Sequence, residues 1–210
     1  MAGKETDWKF AEDFVVEPED IARARARSLE LGVEAITPAM GAQLALLTAT
    51  TVATNIIEVG TGAGVSGLWM LSGAPQATLT SIDIEADHQQ HARASFLDAG
   101  HATNRFRLIT GRARDVLPRM NERAYDVVFV DADPQSVIEY VEHGLRLVRS
   151  GGTVVVAHAL WHGRVADPAY RDDVVAGFRS LLRELSESDA VISALSPIGD
   201  GLLQITNVES

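Results

Sequence analysis

Short runs rich in valine and isoleucine alternate with longer amphipathic stretches along most of the chain. Because these runs are apolar on both faces, they are typical of strands in a parallel sheet that helices cover on both sides. The pattern therefore predicts an α/β fold. The predicted strands are residues 55–60, 77–85, 106–111, 125–133, 153–160 and two within 190–208, and the predicted helices between them are 64–73, 86–100, 113–120, 136–152 and 169–187.

The last two predicted strands are connected differently from the others. Only the tripeptide Gly199-Asp200-Gly201 separates them, which is too short for a helical crossover. A short glycine-rich junction between two strands is typical of a hairpin. The final strand is therefore expected to run antiparallel to the rest of the sheet.

The N-terminal residues 1–35 are polar and charged, with apolar residues at helical spacing. Pro18, followed by two acidic residues, is typical of a helix start, and Gly32 of a helix end. A second helix is predicted over 39–53, apolar nearly all round and therefore buried. No repeat, linker or low-complexity tract interrupts the chain. We expect a single domain over 1–210, with the first 35 residues as a helical cap.

The composition narrows the classes of function. The 210-residue chain is 46% hydrophobic, which is typical of globular proteins, and it has 18 basic against 29 acidic residues and a net charge of −11. An acidic chain repels nucleic-acid phosphates and anionic lipid surfaces, so we expect neither partner. The absence of cysteine excludes disulfides and thiolate catalysis. With no apolar run long enough for a membrane span and no signal peptide, a cytoplasmic location is expected.

A glycine-rich segment, Glu58–Gly64, follows the first strand of the alternating region and precedes a helix. Glycines at this place let the backbone approach a ligand closely. The spacing is G-x-G-x-G because Val65 occupies the position of the last glycine in the G-x-G-x-x-G fingerprint, which disfavours a nicotinamide oxidoreductase. The acidic residue that opens the motif suits a ligand carrying an amine or another cation.

Asp83 ends the second strand, about 20 residues after the glycines, where an acidic side chain accepts hydrogen bonds from ribose hydroxyls. The glycine-rich segment itself contains no lysine or arginine that would bind phosphate. Together, the two features predict an adenosine-type ligand bound without recognition of phosphate.

Motifs along nearly the whole chain resemble one enzyme family. The chain is similar to S-adenosylmethionine-dependent O-methyltransferases of the caffeoyl-CoA and catechol type. The resemblance implies the class I methyltransferase (Rossmann-like) fold, a seven-stranded mostly parallel sheet with an antiparallel last strand, extra N-terminal helices and a homodimer. The motifs are ITPAMGAQL at 36–44, IEVGTGAGVS at 57–66, SIDIE at 81–85, YDVVFVDAD at 125–133, LWHGRV at 160–165 and GDGL at 199–202.

The same resemblance implies S-adenosylmethionine as the cofactor and a small molecule with a hydroxyl group as the methyl acceptor. It places Glu58 and Gly60 at the methionine part of the cofactor, Asp83 at its ribose and Asp131 beside its amino group. The full set of implied cofactor contacts is Ala39, Met40, Glu58, Gly60, Thr61, Gly62, Ser66, Asp83, Arg112, Ala113 and Asp131.

The chain departs from the family at the positions of the divalent metal. Relatives that use a cation have a lysine where this chain has Pro134, and an Asp-Asn pair where it has Ala157 and His158. Of the three residues that bind the metal in these relatives, only the one at Asp131 is retained, and Asp133 is an alternative oxygen ligand. Hard cations require several oxygen ligands, so we expect no bound metal.

His158 is the candidate general base, because imidazole titrates near neutrality and no lysine follows Lys9 to take that role. Asp131 is the second candidate catalytic residue. A purely structural role for His158 and a weaker candidate base, His162, remain alternatives. At the level of function, the alternative to an O-methyltransferase is a catalytically impaired relative that binds the cofactor in a structural or regulatory role.

Overall fold

The computed structural model describes the backbone of residues 2–208 and the side chains of residues 6–208; residues 1, 209 and 210 of the predicted domain lie outside this range. Its seven strands form one sheet in the order β3-β2-β1-β4-β5-β7-β6. β1 to β5 are parallel, while β7 runs antiparallel to both of its neighbours. The predicted hairpin is therefore confirmed. The strands are β1 (Asn55–Val59), β2 (Thr78–Asp83), β3 (Phe106–Thr110), β4 (Tyr125–Val130), β5 (Val148–Val156), β6 (Val191–Ser196) and β7 (Leu202–Asn207).

Helices cover both faces of the sheet, as the two-sided apolar strands predict. Along β4, Val127 and Phe129 belong to one apolar core while Val128 and Val130 belong to the other. This alternation follows from the two-residue repeat of a strand. The helices are α1 (Ala2–Asp13), α2 (Glu19–Glu30), α3 (Pro38–Thr50), α4 (Val65–Gly73), α5 (Ala86–Asp98), α6 (Ala113–Val116), α7 (Val137–Leu147) and α8 (Asp173–Glu187).

Several predicted boundaries were wrong. The helix predicted over 136–152 ends at Leu147, because the next residues pair with β4 and begin β5. The helix predicted from residue 169 begins at Asp173, where the carboxylate of Asp172 accepts a hydrogen bond from the Val175 amide and caps the helix. The helix predicted over 113–120 is a short helix followed by a 3-10 turn.

α3 is also less buried than its apolar sequence suggested. Leu44 is fully buried, whereas Leu46 is 58% exposed. A helix packed on one side of a sheet buries only the stripe that faces it, so the remaining apolar positions of α3 lie at the surface. Within the part of the chain that the structure describes, no helix combines the length and apolar content that a membrane crossing requires.

Candidate active site

A cavity of about 590 Å³ lies at the carboxyl ends of β1 to β4. This is where open α/β sheets bind their ligands, and the volume is in the range of small-molecule sites. Segment 33–36, between α2 and α3, forms another part of its wall. Of the predicted cofactor contacts, those that line the cavity are Gly60, Thr61, Gly62, Ser66, Asp83, Arg112, Ala113 and Asp131.

The glycine loop after β1 crosses the end of β4 at very close range. Gly60 has φ of +94°, and a Cβ built on it would lie 1.8 Å from the backbone oxygen of Asp131. Any side chain there would separate the two strand ends. Gly60 is therefore required both for the left-handed backbone and for the contact that brings Asp131 to the cavity.

Asp83 supports the glycine loop from the neighbouring strand. Its Oδ2 accepts hydrogen bonds from the amides of Thr61 (2.9 Å) and Gly62 (3.1 Å), and its Oδ1 accepts one from the Glu85 amide. The Nδ1 of His88 lies 3.3 Å from Oδ2. Sequence reasoning assigned Asp83 to a ribose but missed this role in shaping the loop, which depends on which strands are neighbours.

Glu58 is fully buried behind Ser66 and is not part of the cavity wall. The hydroxyl of Ser66 donates to its Oε1 at 2.6 Å, and the hydroxyl of Ser81 donates to its Oε2. Burial raises the pKa of the Glu58 carboxyl from 4.5 to about 8, despite these two hydrogen bonds. Ser66 thus lies between Glu58 and the cavity: it lines the cavity and is hydrogen-bonded to the carboxyl of Glu58.

Two other predicted contacts, Ala39 and Met40, do not line the cavity. Both are buried in the first turn of α3. Gly199 lies against Met40 so closely that a Cβ on the glycine would come within 2.7 Å of the Met40 Cε. Met40 therefore packs against the β6–β7 turn, and the predicted contact of these two residues with a cofactor stays a prediction.

The two candidate catalytic residues lie side by side. The Nε2 of His158 is 3.6 Å from the Oδ1 of Asp131, and its Nδ1 is 3.5 Å from the Oδ2 of Asp200. Burial raises the pKa of Asp131; the adjacent His158 opposes that shift and Glu34 adds to it. Asp131 lines both the large cavity and a small one of about 30 Å³ that contains His158 and Trp161.

The backbone around His158 is held in an uncommon conformation. His158, Trp161 and His162 all have positive φ, between +47° and +56°, a region that non-glycine residues seldom occupy. Asp200 stabilises this segment, since both of its carboxylate oxygens lie 2.7 Å from the His162 amide. Strain of this kind concentrates at functional sites. Sequence reasoning treated Asp200 only as a turn residue, although its place in the terminal motif was visible.

The residues around Asp131 do not suit a divalent cation. Asp133 is already engaged: it accepts hydrogen bonds from the Tyr140 hydroxyl at 2.6 Å and from the Ser136 amide. The side chain of Ala157 has no oxygen that could bind a cation. Among the residues that the structure describes, no group of three or more acidic or histidine side chains is arranged to hold a metal ion. A hard cation requires several oxygen ligands, and the absence of a bound metal stays a prediction.

The N-terminal helix is joined to the same region through Glu12. One of its oxygens accepts a hydrogen bond from the Gly199 amide at 2.5 Å, and the other accepts one from the hydroxyl of Thr37. Phe10 and Phe14 are 75% and 77% exposed. α1 is therefore anchored next to the turn that carries Asp200, with aromatic side chains at the surface.

The strand order, the antiparallel last strand and the cavity at the glycine loop define the class I methyltransferase fold. A family model described as O-methyltransferase matches residues 14–208. Proteins of Mycobacterium tuberculosis and Mycobacterium bovis, both named as O-methyltransferases, are each 46% identical over 200 residues, which is 95% of this chain and 89% of the relative. The chain belongs to the O-methyltransferase family.

Solved structures agree with this assignment. A protein from Corynebacterium glutamicum superposes with a TM-score of 0.90 at 31% identity, covering 100% of this chain and 99% of that one. The O-methyltransferase TomG from Streptomyces achromogenes, involved in tomaymycin synthesis and crystallised with S-adenosylmethionine, has a TM-score of 0.84 at 29% identity, with coverage of 98% and 96%.

Proposed function

We propose that this protein is a cytoplasmic S-adenosylmethionine-dependent O-methyltransferase that acts on a small-molecule hydroxyl acceptor without a divalent metal. The observation that carries the proposal is the position of Asp131. It lies in the wall of the large cavity and only 3.6 Å from His158, so one residue joins the predicted cofactor site to the candidate base. The similarity to TomG, which was crystallised with S-adenosylmethionine, supports the choice of cofactor.

The large cavity suits this cofactor. Asp83 lines it at the end of β2, where it would accept hydrogen bonds from the ribose hydroxyls, and the glycine loop allows the ligand to approach the protein backbone closely. Asp131 and Glu34 make the wall acidic near the end expected to hold the amino group. When bound, S-adenosylmethionine supplies an electrophilic methyl group on a sulfonium.

The protein's part in the reaction is to position the acceptor and remove its proton. In our proposal the acceptor oxygen lies in line with the methyl–sulfur bond and within hydrogen-bond distance of the Nε2 of His158. The oxygen forms the new bond to the methyl carbon, the carbon–sulfur bond electrons stay on sulfur, and the acceptor proton passes to His158 Nε2. Asp200 faces the other nitrogen, Nδ1, at 3.5 Å, so a second carboxylate stabilises the ring once it has taken up the proton.

The protein is further proposed to act as a homodimer. Phe10, Phe14 and Val16, near the N-terminus, are all more than two-thirds exposed, and Ile192 on the edge strand β6 is 67% exposed. Apolar surface of this extent favours burial against a partner. The family resemblance implies that the partner is a second copy of the chain.

Two measurements test the proposed function. Binding of S-adenosylmethionine and S-adenosylhomocysteine is measured by thermal shift, with NAD as the negative control; both adenosyl ligands are expected to raise the melting temperature. The protein is then incubated with S-adenosylmethionine and a panel of hydroxylated acceptors, and S-adenosylhomocysteine is quantified. Binding without turnover of any acceptor would favour the alternative of a catalytically impaired cofactor-binding protein.

A further inference from the structure

Five polar side chains form a continuous buried series of hydrogen bonds that ends at the cavity. From the interior outwards they are Gln89, Thr61, Ser81, Glu58 and Ser66. All five are buried, and the carboxyl of Glu58 has no exposed surface. Thr61 and Ser66 also line the cavity. The proposed proton transfer involves none of these five side chains, so the series needs a separate explanation.

The direction of these hydrogen bonds follows from Gln89. Its Nε2 lies 2.8 Å from the Thr61 hydroxyl and also faces the backbone oxygens of Ser81 and Ile109, at 3.5 and 3.3 Å. Backbone oxygens only accept, so this end of the amide is the NH₂ group. Thr61 therefore accepts from Gln89 and directs its own hydrogen to Ser81, 2.6 Å away. Ser81 in turn donates to the Oε2 of Glu58.

The two oxygens of Glu58 are consequently not equivalent. Oε2 is held as an acceptor by the series that begins at Gln89, so a proton on the carboxyl is confined to Oε1, beside Ser66. When Oε1 carries the proton, it donates a hydrogen bond to the Ser66 hydroxyl, which turns its own hydrogen toward the cavity. When Glu58 is ionised, Ser66 donates to Oε1, at 2.6 Å, and presents its lone pairs to the cavity.

The charges around Glu58 favour the protonated form while the cavity contains no cation. Asp83 on β2 and Asp131 on β4 face it, and α5 contributes the neutral Gln89. Burial, with these two acidic neighbours, raises the pKa of Glu58 to about 8, above neutral pH. A positive charge placed beside Ser66 acts in the opposite direction and favours the ionised form.

We propose that binding of the cationic cofactor releases a proton from Glu58, and that Gln89 is a positioning residue that confines this proton to the oxygen facing Ser66. The inference rests on the proposed function, because it takes S-adenosylmethionine as the ligand. This molecule carries a net positive charge, since it has a sulfonium and an ammonium group but only one carboxylate. The proton passes through the Ser66 hydroxyl to the cavity and the solvent. The step is a proton transfer, so only bonds to hydrogen break and form.

Isothermal titration calorimetry tests the proposal. S-adenosylmethionine is titrated at pH 7 in two buffers of different ionisation enthalpy, and the difference in heat gives the number of protons released. The wild type is expected to release about one proton per chain, since a group with a pKa one unit above the pH is almost fully protonated. Glu58→Gln is expected to release none. Asp87→Asn, which removes an exposed acidic side chain outside the cavity wall, should behave as the wild type.

A second variant separates the positioning role of Gln89 from simple packing. Gln89→Met removes the donor, so that Thr61 and Ser81 become free to reverse and the proton gains access to both oxygens of Glu58. The pH at which half of the maximal proton release is reached should then rise relative to the wild type. Gln90→Met, on the exposed side of the same helix, should leave that pH unchanged.

The outcomes are distinguishable. Binding without proton release by the wild type, or equal release by Glu58→Gln, overturns this proposal and leaves the proposed function intact. An unchanged half-release pH in Gln89→Met overturns the role of Gln89. Absence of binding in every protein overturns the proposed function and this inference with it.

Discussion

The Nδ1 of His158 lies 3.5 Å from the Oδ2 of Asp200, although 42 positions separate the two residues in the chain. The same carboxylate accepts a hydrogen bond from the His162 amide, so the β6–β7 turn holds the backbone of this loop and faces both of its histidine rings. The Nε2 on the other side of the His158 ring lies 3.6 Å from Asp131, which lines the large cavity. A half-buried histidine between two carboxylates is a better candidate for proton transfer than the more exposed His162.

His158→Ala is expected to lower kcat by roughly 10²-fold, the usual contribution of a positioned general base. The affinity for S-adenosylhomocysteine should change little, because His158 lies outside the wall of the large cavity. Steady-state kinetics and calorimetry measure the two quantities. His91→Ala, on the surface of α5, is the control. Retention of wild-type kcat in His158→Ala would leave His158 with a structural role only.

Chelation is expected to leave the reaction unaffected. Asp133 is engaged by Tyr140 and Ser136, and Ala157 provides no ligand, so Asp131 lacks the oxygen partners that a hard cation requires. Turnover measured after dialysis against excess EDTA should equal that of the untreated protein, and added Mg²⁺ should not increase it. Loss of activity with EDTA and its recovery with Mg²⁺ would contradict metal independence.

Asp83→Ala is expected to weaken binding of S-adenosylhomocysteine by roughly 1–3 kcal/mol, about 5- to 150-fold. The substitution removes an acceptor for the ribose and also the acceptor for the Thr61 and Gly62 amides, so the glycine loop loses its support. Calorimetric titration gives the dissociation constants. Asp87→Ala, an exposed acidic residue nearby on α5, should bind as the wild type does. Unchanged affinity in Asp83→Ala would remove this residue from the site.

Glu58→Gln is expected to flatten the dependence of stability on pH. The folded-state pKa of Glu58, about 8, lies above the ordinary value of 4.5, so the folded state holds a proton that the unfolded state has lost between these values. The contribution of this proton to the free energy of unfolding is complete below about pH 4.5. It is lost as the pH rises toward 8, by up to about 1.4 kcal/mol per pH unit. Urea denaturation of both proteins between pH 5 and 9 measures the difference. If the unfolding free energies of the two proteins change in parallel with pH, Glu58 is ionised in the folded protein.

Deletion of residues 1–17 is expected to impair acceptor turnover or dimer formation more than cofactor binding. The deletion removes Glu12, whose bonds to Gly199 and Thr37 anchor α1 beside the β6–β7 turn, together with the exposed Phe10 and Phe14. Activity assays and light scattering follow the two effects, and thermal shift follows cofactor binding. A truncated protein with full activity and an unchanged mass in solution would refute this role.

Much of the architecture follows from local features of the chain. The two-sided apolar strands predict a covered parallel sheet because each strand residue must bury its side chain on one face or the other. The short Gly199-Asp200-Gly201 junction predicts the antiparallel end because no crossover fits in three residues. Element ends were predicted less well: the sequence around Val148 is equally suited to continue α7, and pairing with β4 makes it a strand.

The candidate site, too, could be predicted from the sequence only in part. The glycine loop and Asp83 could be identified from the sequence, because spacing and residue type alone restrict what such a loop can bind. The link from Asp200 to His158 and the series from Gln89 to Glu58 could not, since each joins residues from separate elements. Such contacts depend on which strands become neighbours and on how far burial removes a charged group from water. Only the tertiary structure decides both, because local sequence determines neither strand order nor solvent access.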